Sequence, residues 1–259
     1  MIVQVRPLFA EGLILRKEML TALSDQAFGL GDLLFCEHSD GILSGCRLST
    51  TRDTIEMGPG TIFFGGTLYL LKMPLSVGYH ATDRLSLCKL RFSEECASGW
   101  GTYREVELVI TEDSAQRTGE LEICRFKLQP DARLRDRYDD FEDRSTEYDT
   151  LNTIHAPYAA QWGSTLSPAI MSAYARELLA AFPSDNLDQM FCMNVLSASF
   201  PLPKDTIAAY IQLRTGGLPS PCSNETLYGG LLAILKSVQH GTDPKAKPGG
   251  TAQWQLTIE

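Results

Sequence analysis

DGILSGCRLSTTRDTIEMGPGTIFFGGTLYLLKMP, residues 40–74, is the stretch on which the fold turns. Gly41, Gly45, Gly58, Gly60, Gly65 and Gly66 interrupt short apolar runs here, at the places where a tight meander has to reverse. Glycine suits such places because positive φ costs it nothing. Between the glycines lie Ile42-Leu43, the alternating Cys46 and Leu48, Thr54-Ile55, Ile62-Phe63-Phe64 and Leu68-Tyr69-Leu70. Each run has the length and the β-branched or aromatic content of a strand. None of these residues carries chemistry.

Working outward, residues 14–29 place Leu15, Met19, Leu20, Leu23 and Phe28 at helical spacing, and Gly29 with Gly31 predicts the stop. A strand is expected at Leu33–Glu37. Downstream, 83–92, 102–111 and 120–128 alternate apolar and polar residues over long strands with at least one wet face. Residues 94–101 and 112–119 are polar, glycine-bearing returns. From 131 to 150 the chain turns to mixed charge without apolar periodicity, which predicts an extended connector. Helical periodicity then takes over in 166–182, 185–198, 203–215 and 223–239. Ser167-Pro168 and Ser223 mark two of the starts, and Gly216-Gly217 one of the ends. Residues 241–250 predict a loop, and 253–259 a closing strand.

The expected fold is therefore α+β: an amino-terminal antiparallel β-rich domain (1–130), an extended connector (131–165) and a carboxy-terminal helical domain (166–259). Charge divides the chain at the same place. Residues 1–150 hold 25 acidic and 17 basic side chains, and 151–259 hold 7 and 6.

At 259 residues, with 44% hydrophobic and 21% charged residues, the composition is that of an ordinary soluble globular protein. A net charge of −9 argues against a nucleic-acid backbone as partner. Seven cysteines without a CxxC pair read as reduced thiols packed as small hydrophobes. No signal peptide and no membrane-spanning run are visible, so synthesis and folding in a cytoplasm are expected.

No catalytic constellation emerges. The chain lacks GxxxxGK[ST] and a G-x-S-x-G elbow, and its glycines sit between strands, where a dinucleotide loop does not form. His38, His80, His155 and His240 stand far apart, without the paired spacing of zinc ligands. The acidic run Asp139-Asp140-Phe141-Glu142-Asp143 has neither the alternation nor the glycine of a calcium loop, and interleaved arginines neutralise it. Cys192 sits in an apolar helix as a packing residue. No enzyme activity, cofactor or metal is expected.

Residues 146–168 interleave aromatic and polar side chains with neither a helix nor a strand period. Tyr138, Phe141, Tyr148, His155, Tyr158 and Trp162 are the candidate interface residues, since such rings give large contact area with a polar tip. They serve either to dock the two halves of this chain or to contact a neighbouring subunit.

The glycine-punctuated block resembles the small β-module near the start of phage tail-fibre and baseplate proteins, related pieces of which occur in contractile injection machines. DDFEDRSTEYDTLNTIHAPYA (139–159) is similar to prophage and phage-tail-like cluster proteins of Gram-positive anaerobes. The resemblance covers most of the first 160 residues; the helical remainder carries none. It implies a non-enzymatic structural part of a baseplate or fibre attachment. Such a part would join other baseplate, tail or fibre proteins as a homo-oligomer in a symmetric particle. The alternative it leaves is a carbohydrate- or cell-surface-binding adaptor, with Tyr69, Tyr79 and Trp100 as candidates. A hydrolase with a site assembled only by the fold has scattered His, Asp and Glu in its favour.

Overall fold

The glycine block folds into five short antiparallel strands. The computed structural model describes residues 7–241 apart from 100 and 116. The five strands are β1 (Gly41–Gly45), β2 (Leu48–Thr50), β3 (Thr54–Met57), β4 (Gly60–Phe64) and β5 (Thr67–Leu71), and β6 (Leu75–Gly78) follows. They build two three-stranded sheets, ordered β1-β4-β5 and β2-β3-β6. Gly45 pairs with Gly60 across β1 and β4. A Cβ on Gly60 would come within 2.4 Å of the Ser44 carbonyl oxygen, so only glycine lets the two backbones approach at the bulge.

A third sheet, β10-β7-β11, is built from β7 (Leu85–Phe92), β10 (Val106–Thr111) and β11 (Glu120–Lys127). The central β7 has no wet face apart from Arg91: Ser86 to Leu90 are all buried. This corrects the expectation from alternation. Lys89, on the expected polar face, is covered and donates to Glu120 at 3.1 Å and to the Ala115 carbonyl at 2.8 Å. The expected strand 102–111 is two. β8 (Cys96–Ser98) and β9 (Gly101–Tyr103) form their own ribbon, and β10 starts afresh against β7. Between them Arg104 leaves the register to reach the Tyr69 hydroxyl at 3.1 Å and Glu95 at 3.3 Å.

All three larger sheets share one core, in which Ile42, Ile55, Met57, Ile62, Leu90, Ile123 and Phe126 meet. The helices α2 (Pro168–Ala180), α3 (Asn186–Ser197), α4 (Lys204–Thr215) and α5 (Asn224–Gln239) form a second core around Tyr174, Leu178, Ile207, Leu231 and Ile234. The fold is α+β, with the β-rich region preceding the helical bundle. The helix starts follow their caps. Ser167 accepts the Ile170 N–H at 3.1 Å with Pro168 in the first turn, and Ser223 and Thr226 close a capping box. Gly216, at φ 75°, ends α4 in the left-handed conformation.

The first helix departs from expectation. α1 spans Lys17–Phe35, running through both glycines and through the segment expected as a strand. Gly29 and Gly31 keep negative φ, so neither forms a stop. A Cβ on Gly31 would lie 3.1 Å from Leu68 Cδ2; the glycine lets the helix settle on β5. The expected closing strand at 253–259, and most of the 241–250 loop, lie outside the described residues.

Candidate interaction surfaces

The connector is an extended thread with one 3-10 turn (Glu142–Ser145), and it feeds both cores. Leu134 and Leu151 enter the β core, while Phe141 and Ile154 enter the helical one. Backbone bridges tie it to the sheet edges at Lys127–Tyr148, Arg125–Asn152 and Ile42–Tyr158. Arg135 grips Asp143 with two nitrogens at 2.7 Å each, which holds the Asp143 carboxyl down at about 2.

The six aromatic and histidine candidates separate by depth. Phe141 is fully buried, stacked on Tyr228 with centroids 4.7 Å apart and tilted against Tyr174. Its carbonyl accepts from the Tyr228 hydroxyl, and its N–H donates to Glu177 at 2.7 Å. Tyr138 is half-buried beneath the Arg144 guanidinium, 4.2 Å from the ring centroid, and donates to the Leu151 carbonyl. Tyr158 is half-buried between the β core and α2, and burial pushes its hydroxyl up to about 12. His155 is half-buried beside Arg125, and desolvation pulls its imidazole below the ordinary range. Tyr148 lies at the surface beneath Lys127. Trp162 is 71% exposed at φ 60°, its N–H donating to the Glu37 carbonyl at 3.1 Å. The backbone is held there while the ring points to solvent. Of the adaptor candidates, Tyr79 is buried against Phe126, Tyr69 is half-buried against Phe92, and Trp100 lies outside the described residues.

Many of the exposed large apolar side chains lie elsewhere. No residue of α1 is buried, although it carries Leu20, Leu23, Phe28, Leu30, Leu33 and Leu34. Only its last turn is anchored, where Phe35 packs near Leu43, Phe63 and Ala159. On α3, Met190, Met193 and Leu196 form an exposed stripe that continues into Phe200. A mainly apolar trough of about 420 Å³ is walled by Leu34 and Phe35 at the end of α1 and by Phe200 to Pro203 beyond α3, with His38 and Gln161 also lining it. Helical spacing shows that α1 and α3 have apolar faces, but not that those faces stay uncovered among the described residues.

Among the described residues no group of three or more His, Cys, Asp or Glu side chains could hold a metal ion. All seven cysteines are free thiols; Cys46, Cys88, Cys124 and Cys192 are buried. Burial pushes Cys46 up to about 11 and Cys192 up to about 12, away from thiolate reactivity. Among the described residues no helix is long and apolar enough to cross a membrane.

No protein-family model matches the chain, and no curated protein is significantly similar to it. Solved structures give partial likenesses. A crystal structure of TssK aligns at TM-score 0.40 and 12% identity, over 91% of this chain and 69% of that one. A chain of the type VI secretion TssK–TssF–TssG baseplate subcomplex aligns at 0.43 and 12%, over 91% and 99%. A chain of a type VI secretion baseplate complex aligns at 0.40 and 10%, over 92% and 100%. Likeness at this level identifies neither a family nor a role.

Proposed function

We propose that this chain is a non-enzymatic structural component of a phage-tail-like or contractile injection particle, a baseplate or fibre-attachment protein working through protein contacts. The observation that carries the reading is an apolar belt: the exposed apolar side chains of α1 and α3, with the trough that Leu34 and Phe35 share with Phe200 to Pro203. Large contiguous apolar surfaces on folded proteins mark interaction sites. The belt's charge favours a protein partner over a lipid surface. α1 has one Lys against Glu18, Asp25 and Asp32, a net of −2, whereas helices that lie on membranes carry Lys and Arg on the polar face. The resemblance of residues 40–74 and 139–159 to tail and injection-machine proteins supplies the setting. Repeated display in a symmetric ring lets a belt of moderate affinity suffice.

The test is to replace Leu20, Leu23, Leu30 and Leu34 together by Ser. The isolated chain should keep its melting temperature, while its incorporation into sedimenting particles from a producing strain should disappear. Unchanged incorporation would remove α1 from the interface and overturn the reading.

A further inference from the structure

The β-region and the helical bundle leave a cleft between them. An inner chamber of about 230 Å³ opens past Arg47, Arg144, Tyr158 and Ala169 into an outer trough of about 560 Å³, and these four residues line both. Arg176, on the third turn of α2, lines the outer trough. Thus three guanidinium groups from distant parts of the chain face one space, in a protein of net charge −9. Among the described residues none of the three has a carboxylate partner.

The nearby acids are otherwise engaged. Asp136, which lines the inner chamber, accepts the Thr50 N–H at 2.8 Å. Asp143, next to Arg144, is held by Arg135. Glu177, next to Arg176, accepts from the Phe141 N–H and from Gln239. Arg144 is the least compensated: its Nε is buried without a hydrogen-bond partner, and the ring of Tyr138 covers one face. Burial also pulls this guanidinium below its ordinary range. The amino terminus of α2 adds positive potential at the same spot, since Pro168 and Ala169 line the trough. A buried polar group without a partner is costly, and an incoming anion would relieve that cost.

We propose that this cleft is an oxyanion-binding site, which takes a compact polyanion whose carboxylate or phosphate groups are gripped by Arg47, Arg144 and Arg176. The planar, always-charged guanidinium suits both groups through paired N–H donors. Because the arginines come from the β1–β2 link, the connector and α2, an occupant clamps the β-region to the bundle. The three arginines lie outside the apolar belt, although Pro201 borders both the outer trough and the apolar one.

The test uses citrate and pyrophosphate as probes at matched ionic strength, with isothermal titration calorimetry and thermal melting of the full chain. Saturable binding of at least one probe should raise the melting temperature by a few degrees. Arg144→Gln should weaken that binding about tenfold or more, the loss of one charge-assisted pair. The double variant Arg47→Gln/Arg176→Gln alters two exposed side chains, so it keeps the test valid if Arg144→Gln fails to fold. Arg84→Gln, on a remote strand end, should bind as the parent does. Preference for pyrophosphate would assign a phosphate-bearing source, and preference for citrate a carboxylate-rich one. Binding by neither probe, or binding unchanged in the double variant, would overturn the proposal.

Discussion

The two longest helices among the described residues, α1 with 19 residues and α5 with 16, carry similar apolar complements and meet opposite fates. α5 buries Leu227, Tyr228, Leu231, Ile234 and Leu235 inside the bundle, while no residue of α1 is fully buried. Their sequences do not account for the difference; their neighbours do. α5 is flanked by α2 and α4, whose apolar faces match it, whereas α1 rests on the body of the protein through its C-terminal part, near Leu68 and Phe35. Amphipathic periodicity states that a face wants cover. It does not state whether the cover comes from the same chain.

The contrast breaks first in the bundle interior. Asp188 is fully buried, forms an ion pair with Arg214 (Nε at 2.8 Å) and accepts the Tyr210 hydroxyl at 2.7 Å, while Tyr210 and Tyr174 share a 2.8 Å hydrogen bond. Asp188→Ala leaves the Arg214 charge inside with its other carboxylate, the part-exposed Asp185 at 3.2 Å, an expected loss of about 3 kcal/mol, the low end for breaking a buried pair. Denaturant unfolding should show it as a large fall in midpoint. A change below about 1 kcal/mol would mean that the network is hydrated and the bundle looser than α5 implies. Leu231→Ala, in the same core, should cost about 2–5 kcal/mol through the cavity it leaves.

A smaller effect tests the seam between the regions. Asp143 is held at about 2 by Arg135, below the ordinary carboxylate value. A carboxylate depressed by folding contributes stability that is fully present above its unfolded pKa near 4 and is lost as pH falls through its folded pKa. Stability should therefore decline between pH 4 and 2, and Asp143→Asn should flatten that part of the profile while costing about 1–2 kcal/mol at neutral pH. An acid profile unaltered by the substitution would separate Asp143 from the stability of the seam.

Much of this was legible in local sequence. Ser167-Pro168 and Ser223 placed two helix starts because caps act over three residues, and the glycine block placed β1, β3, β4 and β5 because reversals are local too. Non-local features were hidden. Gly29 and Gly31 read as a stop, yet both lie inside α1, and the neighbour that Gly31 makes room for, Leu68, is 37 positions further along the chain. Lys89 read as solvent-facing because alternation cannot show that Glu120 covers it. The aromatic segment was visible as a group, but sorting buried Phe141 from exposed Trp162 needed the path of the connector, which has no period. The three cleft arginines share no motif; only folding brings them to one cavity.

The smallest expected effect is the sharpest test of the comparison. Leu23 is the counterpart on α1 of Leu231 on α5, the same residue type on the apolar face of a long helix, but it is 44% exposed where Leu231 is fully buried. Truncating an exposed side chain removes little burial and opens no cavity, and alanine is the better helix former. Leu23→Ala should therefore shift unfolding of the isolated chain by less than about 0.5 kcal/mol, against several for Leu231→Ala. Unfolding curves recorded at two protein concentrations make the measurement decisive. A large loss that is independent of concentration would show α1 packed within its own chain, and the contrast between the helices would collapse. A loss that grows with concentration would show that α1 is covered by a second copy.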